Sequence, residues 1–134
     1  MLEVRGVHAV RVPEKAQVHD FLEKYIKEHN LKEGLVVGIG ALEYAKLSFV
    51  DPITRSYSIV EPRARETSLE VGSLLGSYVV KPDGSVGLHI HVSLGARGET
   101  YVGHLISGVV NPLLEVFLVE IGSGSEAFTH KVQR

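Results

Sequence analysis

One change of period constrains the fold more than any other feature of the sequence. From Glu14 to Asn30 the apolar residues Val18, Phe21, Leu22, Tyr25 and Ile26 fall at three- and four-residue steps, which lines them on one face of an amphipathic helix. Lys15, Glu23, Lys24, Lys27 and Glu28 fill the rest of its surface. Pro13 near its start, and Asn30 and Gly34 at its end, supply the boundary signals. Before the helix, Leu2 to Val12 is valine-rich and free of turn residues, and reads as a strand. After Gly34 no second strong helical period occurs. "NPLLEVFLVEI" has the length and the valines of a buried strand, and the glycine–serine stretch Gly122 to Ser125 stands behind it. Turn signals recur at "DPITRS", "KPDG" and "GARG", so the strands between them form hairpins. The pattern predicts an α+β fold: an antiparallel sheet of about six to eight strands with one helix packed on it.

Composition narrows the class. A chain of 134 residues that is 44% hydrophobic can bury one sizeable core, so residues 1–134 are expected to form one domain. No apolar run of about 18 residues occurs, and Glu3, Arg5 and Arg11 interrupt the stretch where a signal peptide needs an apolar segment. The expected location is cytoplasmic, with no membrane partner. The absence of cysteine removes disulfides and thiolate metal sites together, leaving histidine and carboxylates as ligands for a transition metal. A formal net charge of −2 gives no overall attraction to phosphate backbones, which argues for weak nucleic-acid binding or none.

Three of the seven histidines lie within "GLHIHVSLGARGETYVGHLISG", Gly87 to Gly108. Side chains alternate across a strand, so His89, His91 and Ser93 share one face while Leu88, Ile90, Val92 and Leu94 share the other. A tight turn centred on Ala96 and Arg97 would set position 104 opposite position 89 in the returning strand, with His91 as its diagonal neighbour. Opposed residues point to one face with Cβ atoms about 4.5–5.5 Å apart and diagonal ones about 7–8 Å, close enough for three imidazoles to converge on one ion. The inference depends on register, since a slip of one residue would turn His104 to the other face. The "KPDG" turn brings Gly76 or Ser77 beside His89, and either leaves room for a ligand. An HxH pair alone is often two polar residues on a wet face; His104 at the matching register is what points to metal. Ligand type favours zinc, although imidazole also suits iron, nickel and copper. His8, His19, His29 and His130 have no such partners and read as surface or interfacial residues.

The same stretch, "LHIHVSLGARGETYVGHLISGVV", resembles the PPC domain, named for its occurrence in plants and prokaryotes: HxH, a small-residue turn, then G-H-L and a glycine–valine segment. Supporting matches are "VVGIGALEYAKLSFVD" and "SLEVGSLLGSYVVKPDGSVGLHIHV". The family usually shows two glycines before the third histidine, and here Val102 takes the first place. The resemblance implies an antiparallel sheet with few helices, assembled as a homotrimer, with metal in prokaryotic members on residues matching His89, His91 and His104. In plants the domain follows an AT-hook, an Arg-Gly-Arg-Pro segment of nuclear DNA-binding proteins. "PRARE", Pro62 to Glu66, has arginines without the glycine, and Glu66 opposes them in charge.

Other motifs carry less. "GLVVGIGAL" lacks the third spaced glycine and the helix that a dinucleotide site needs, so its glycines read as permitting close backbone packing or a bulge. Ser93 lies two residues from His91 on the same face, but the sequence shows no oxyanion-hole arrangement for it, and it reads as polar strand filler. Arg63 and Arg65 form either an anion site or a solvated loop. Three functions follow in order of support: a metal-binding trimeric module holding a small-molecule ligand or protein partner; a metal-dependent hydrolase or hydratase, with no acid or base standing out near the motif; and a DNA-associated regulator by analogy with the plant proteins.

Overall fold

A computed structural model describes residues 1–122. His130 and the end of the glycine–serine stretch lie outside the described residues. Six strands and one helix follow in the order β1 (Glu3–Pro13), α1 (Val18–Glu28), β2 (Glu33–Val50), β3 (Tyr57–Val60), β4 (Leu69–Val80), β5 (Val86–Ala96) and β6 (Glu99–Gly122). All strand pairings are antiparallel, in the order β1-β6-β5-β4-β2-β3, with a further pairing of β6 to β2. The expected α+β architecture is present at the lower end of the expected strand count. Among the described residues no helix is long and apolar enough to cross a membrane.

The extra pairing closes the sheet. β6 runs 24 residues; its first half lies beside β5 and its second half beside β1, while β2 pairs with β6 from Gly34 opposite Glu120 to Ser48 opposite His104. β2, β4, β5 and β6 therefore form a ring whose inner face is the apolar half of each alternation. Val36, Leu42, Leu47, Leu74, Ile90, Val92, Leu94 and Leu105 are buried there. Such a long strand bends at irregularities: β6 and β2 shift register three times, one of them between Gly40 and Leu42. Asn111 and Pro112, joined by a cis peptide bond, sit opposite that shift, where a proline removes no ladder hydrogen bond.

The helix is shorter than the period suggests. Gln17 caps it by accepting from the Asp20 N–H at 3.0 Å, and residues 14–16 form a turn in which the Lys15 N–H reaches the Val110 carbonyl at 2.7 Å. Asn30, at φ 53°, ends it: the Leu31 N–H returns to the Ile26 carbonyl at 3.1 Å and the Asn30 N–H to Lys27 at 3.2 Å, a Schellman closure. Val18, Leu22 and Ile26 are fully buried, with Phe21 and Tyr25 packed at their edge. Each of the three contributes about 1.5–3 kcal/mol of burial, enough to fix the helix to the sheet.

The glycines of "GLVVGIGAL" lie within β2, which shifts register between Gly38 and Gly40 and enters no helix. That agrees with a packing role. Ser93 Oγ lies 2.8 Å from Ser73 Oγ across the β4–β5 ladder, a strand hydroxyl pair.

Candidate metal centre

The three histidines meet, by a register different from the expected one. His91, not His89, lies directly opposite His104, and Ala96 pairs with Glu99. The turn is centred on Arg97 and Gly98 rather than Ala96 and Arg97. Both central residues have positive φ, 50° and 88°, the geometry that suits the twist of a two-residue hairpin and that puts glycine at its second position. Moving the turn centre one residue along shifts the pairing by two. A shift of two keeps every side chain on its face. His104 therefore still joins His89 and His91, with the direct and diagonal roles exchanged.

The resulting triangle is nearly equilateral. Ring centroids are 5.3 Å apart for His89 and His91, 5.4 Å for His89 and His104, and 5.6 Å for His91 and His104. One nitrogen from each ring lies within 4.8 Å of the others, and His91 is exposed while the other two are half-buried. Nitrogens on a tetrahedral ion, bound at about 2.0–2.1 Å, stand about 3.3 Å apart, so modest ring rotation closes the set. The donors fit a borderline metal: three neutral imidazoles with no carboxylate in the group. An ion held this way would keep its positive charge and at least one position for water or a ligand.

Neighbouring strands supply the surroundings. Ser77 pairs with His89, as one of the two sequence alternatives expected, while Leu75 pairs with His91 and Ser48 with His104. Ser48 and Ser77 are the buried polar side chains among the described residues, and both flank a histidine. Gly76, the other alternative, pairs with Ile90 instead. A Cβ there would collide with the His89 carbonyl oxygen and stand 2.9 Å from Ile90 Cα, so Gly76 lets β4 approach β5 behind the triad.

Beyond the histidines the outer face is apolar. Across the ladders His91 is followed by Leu75, Val37, Phe117 and Ala9, and His89 by Ser77, Leu35, Val119 and Val7. Leu75 is 54% exposed, and Leu35, Val37, Phe117 and Val7 are exposed too. Val102 and Ile106, also exposed, flank His104 on its own strand. β2 is apolar at odd and even positions alike, so alternation assigns neither of its faces to the core. Ser48 was hidden in the sequence, since its pairing with His104 comes from the ring closure.

The other described histidines, His8, His19 and His29, are not part of the triad. His8 Nδ1 lies 3.1 Å from the Tyr25 hydroxyl, and the exposed His29 stacks on the Tyr25 ring at 3.8 Å. His19 is half-buried, its Nδ1 enclosed without a hydrogen-bond partner among the described residues, and burial holds its pKa below the usual histidine value, with Asp20 opposing.

A model of the Plants and Prokaryotes Conserved (PCC) domain matches residues 3–122, nearly the whole described chain. The chain belongs to this family. Solved structures agree. A plant- and prokaryote-conserved protein from Pyrococcus horikoshii is 28% identical with a TM-score of 0.81, covering 93% of this chain and 85% of that one. A metal-containing protein from Archaeoglobus fulgidus is also 28% identical, with a TM-score of 0.80 over 92% of this chain and 84% of its own. A protein from Bacteroides thetaiotaomicron, named as a candidate DNA-binding protein, is 25% identical at a TM-score of 0.77, over 92% and 82% of the two chains. No curated protein matches the sequence. Proteins that share this fold thus carry names that point to different functions.

Proposed function

We propose that this PCC-domain chain is a cytoplasmic, metal-binding homotrimeric module, with His89, His91 and His104 as ligands and zinc as the favoured ion. The observation that carries the reading is the convergence of one nitrogen from each of the three histidines within 4.8 Å. The metal-containing Archaeoglobus relative supports it. Self-association is supported by the apolar outer face: Leu35, Val37, Leu75 and Phe117 form a contiguous patch that the single helix, packed elsewhere, does not cover. Three copies is the number that the family resemblance implies. Light scattering coupled to size exclusion tests it, with a mass near three chains expected and a clean monomer at micromolar concentration contradicting it.

A metal-dependent hydrolase or hydratase is the second reading, favoured by the open coordination position. Zinc bound by three histidines lowers the pKa of a bound water to about 7. In this chain Ser48 and Ser77 lie across the ladders from His104 and His89, and the described group of ligand atoms that would hold the ion is made of histidines. Turnover of ester, phosphate or amide substrates that disappears with chelator and returns on zinc addition would favour the enzyme; none in any class favours the module. A DNA-associated regulator ranks third, resting on the name of the Bacteroides relative and opposed by the net charge of −2.

A further inference from the structure

A cleft of about 650 Å³ opens at the turn end of the β5–β6 hairpin. Along the strand it begins roughly 16 Å from His91, at about 3.3 Å per residue, so it is separate from the triad. One wall is the β3–β4 connection, the other is the hairpin turn, and Leu69, Ala96 and Tyr101 supply apolar lining. Three arginines and three glutamates also line it: Arg63, Arg65, Arg97, Glu61, Glu66 and Glu99. The charges balance in number and not in engagement. Glu61 accepts from the Tyr44 hydroxyl at 2.5 Å, Glu99 from the Tyr101 hydroxyl at 3.0 Å, and Glu66 pairs with Arg97 at 2.9 Å. Arg63 lies over the Tyr44 ring, 4.4 Å from its centroid, and Arg65 makes no ion pair or hydrogen bond among the described residues.

The arginine-bearing backbone is held in place. The Ala45 N–H donates to the Pro62 carbonyl at 3.1 Å and the Ala64 N–H to the Glu43 carbonyl at 2.8 Å, which clamps the segment on β2 around a Tyr44–Arg63 bridge. Arg63 and Arg65, two residues apart in this connection, both line the cleft. Two guanidiniums without a carboxylate partner are thus presented to a cleft that also has apolar walls. A guanidinium fork matches the oxygens of phosphate and carboxylate, and two together suit a dianion better than a single negative charge.

We propose that this cleft binds a small phosphomonoester, with Arg65 and Arg63 on the phosphate and the organic body against Tyr101, Leu69 and Ala96. The inference is independent of the metal-binding reading, and its test removes the metal as a competing anion site. Phenyl phosphate is titrated into the His89→Ala, His91→Ala variant while amide shifts are followed by NMR. Saturable binding is expected, with shifts concentrated at residues 63–67 and 96–101. Arg65→Gln should weaken it by about tenfold or more, the scale of a charge-assisted contact. Glu66→Gln should tighten it several-fold, because it releases Arg97 and removes a negative charge. Arg55→Gln, a change of equal charge in the exposed β2–β3 connection, should leave binding unchanged, and each variant's spectrum reports its folding. No saturation up to about 10 mM, about ten-thousandfold weaker than ~1 μM binding, would overturn the proposal, as would equal losses in Arg55→Gln and Arg65→Gln. Benzoate binding as tightly as phenyl phosphate would overturn the assignment to phosphate. A DNA duplex occupying the same residues more tightly than phenyl phosphate would overturn the small-molecule occupant.

Discussion

The two faces of the β4–β5 pair are built from the same strands and do opposite work. Inward, Leu74, Ile90, Val92 and Leu94 are buried to within 2% of complete enclosure; outward, one residue along, stand His89, His91 and the half-exposed Leu75. The inner face obtains its stability from packing, so it tolerates little change of volume. The outer face is apolar as well, yet its side chains meet solvent and a cluster of imidazoles. A protein that needed only to fold would gain nothing from placing three histidines on that surface. The difference separates residues that hold the fold from residues that hold a ligand or a partner, and substitution should expose it.

The largest effect is expected inside. Ile90→Ala leaves a cavity in the ring between two histidines that point the other way, and should lower stability by about 2–5 kcal/mol in urea unfolding. Metal affinity of the surviving folded protein should change little. A cost below about 1 kcal/mol would mean that the two faces are not distinct in role.

Outside, Leu75→Asp should leave stability within about 1 kcal/mol, since the side chain is half-exposed in the single chain. It should nevertheless convert the proposed trimer to smaller species in light scattering, because a carboxylate buried in an apolar interface is costly. An unchanged assembly would move the interface away from this face.

The smallest effect concerns His19, whose pKa is lowered by burial. Below the unperturbed value of about 6.5 the unfolded chain takes up a proton that folded His19 still refuses. Its contribution is therefore fully present above that pH and is lost as pH falls toward the folded value. His19→Gln should flatten the decline of the urea midpoint between about pH 7 and pH 5. An identical slope in the two proteins would show that His19 is proton-accessible in the folded state.

How much of this was legible in the sequence follows from what each feature depends on. The helix, the strands and the shared face of His89 and His91 depend on periods of 3.6 and 2, which are local. The placement of His104 depended on the turn, and the wrong turn centre still gave the right face because the error in pairing was an even number. The closure of β6 onto β2, and with it Ser48 beside His104, depends on contacts between distant segments that no local pattern encodes. The same is true of the arginine cleft: Arg63 and Arg65 were visible as an ambiguous charged loop, whereas Arg97 joins them only after the hairpin folds.

The central claim is that the three histidines are one metal site, and metal content of untagged protein tests it most directly. Elemental analysis after dialysis should find about one zinc-like ion per chain, since each chain offers three neutral ligands and leaves a position to water. Occupancy should fall as pH is lowered through about 6.5, where protons compete for imidazole nitrogens. His89→Ala, His91→Ala and His104→Ala should each lose most of the metal while His29→Ala keeps it. Stoichiometric metal persisting in the His89→Ala, His91→Ala double variant, or a wild-type protein that takes up none when zinc is supplied, would contradict the account.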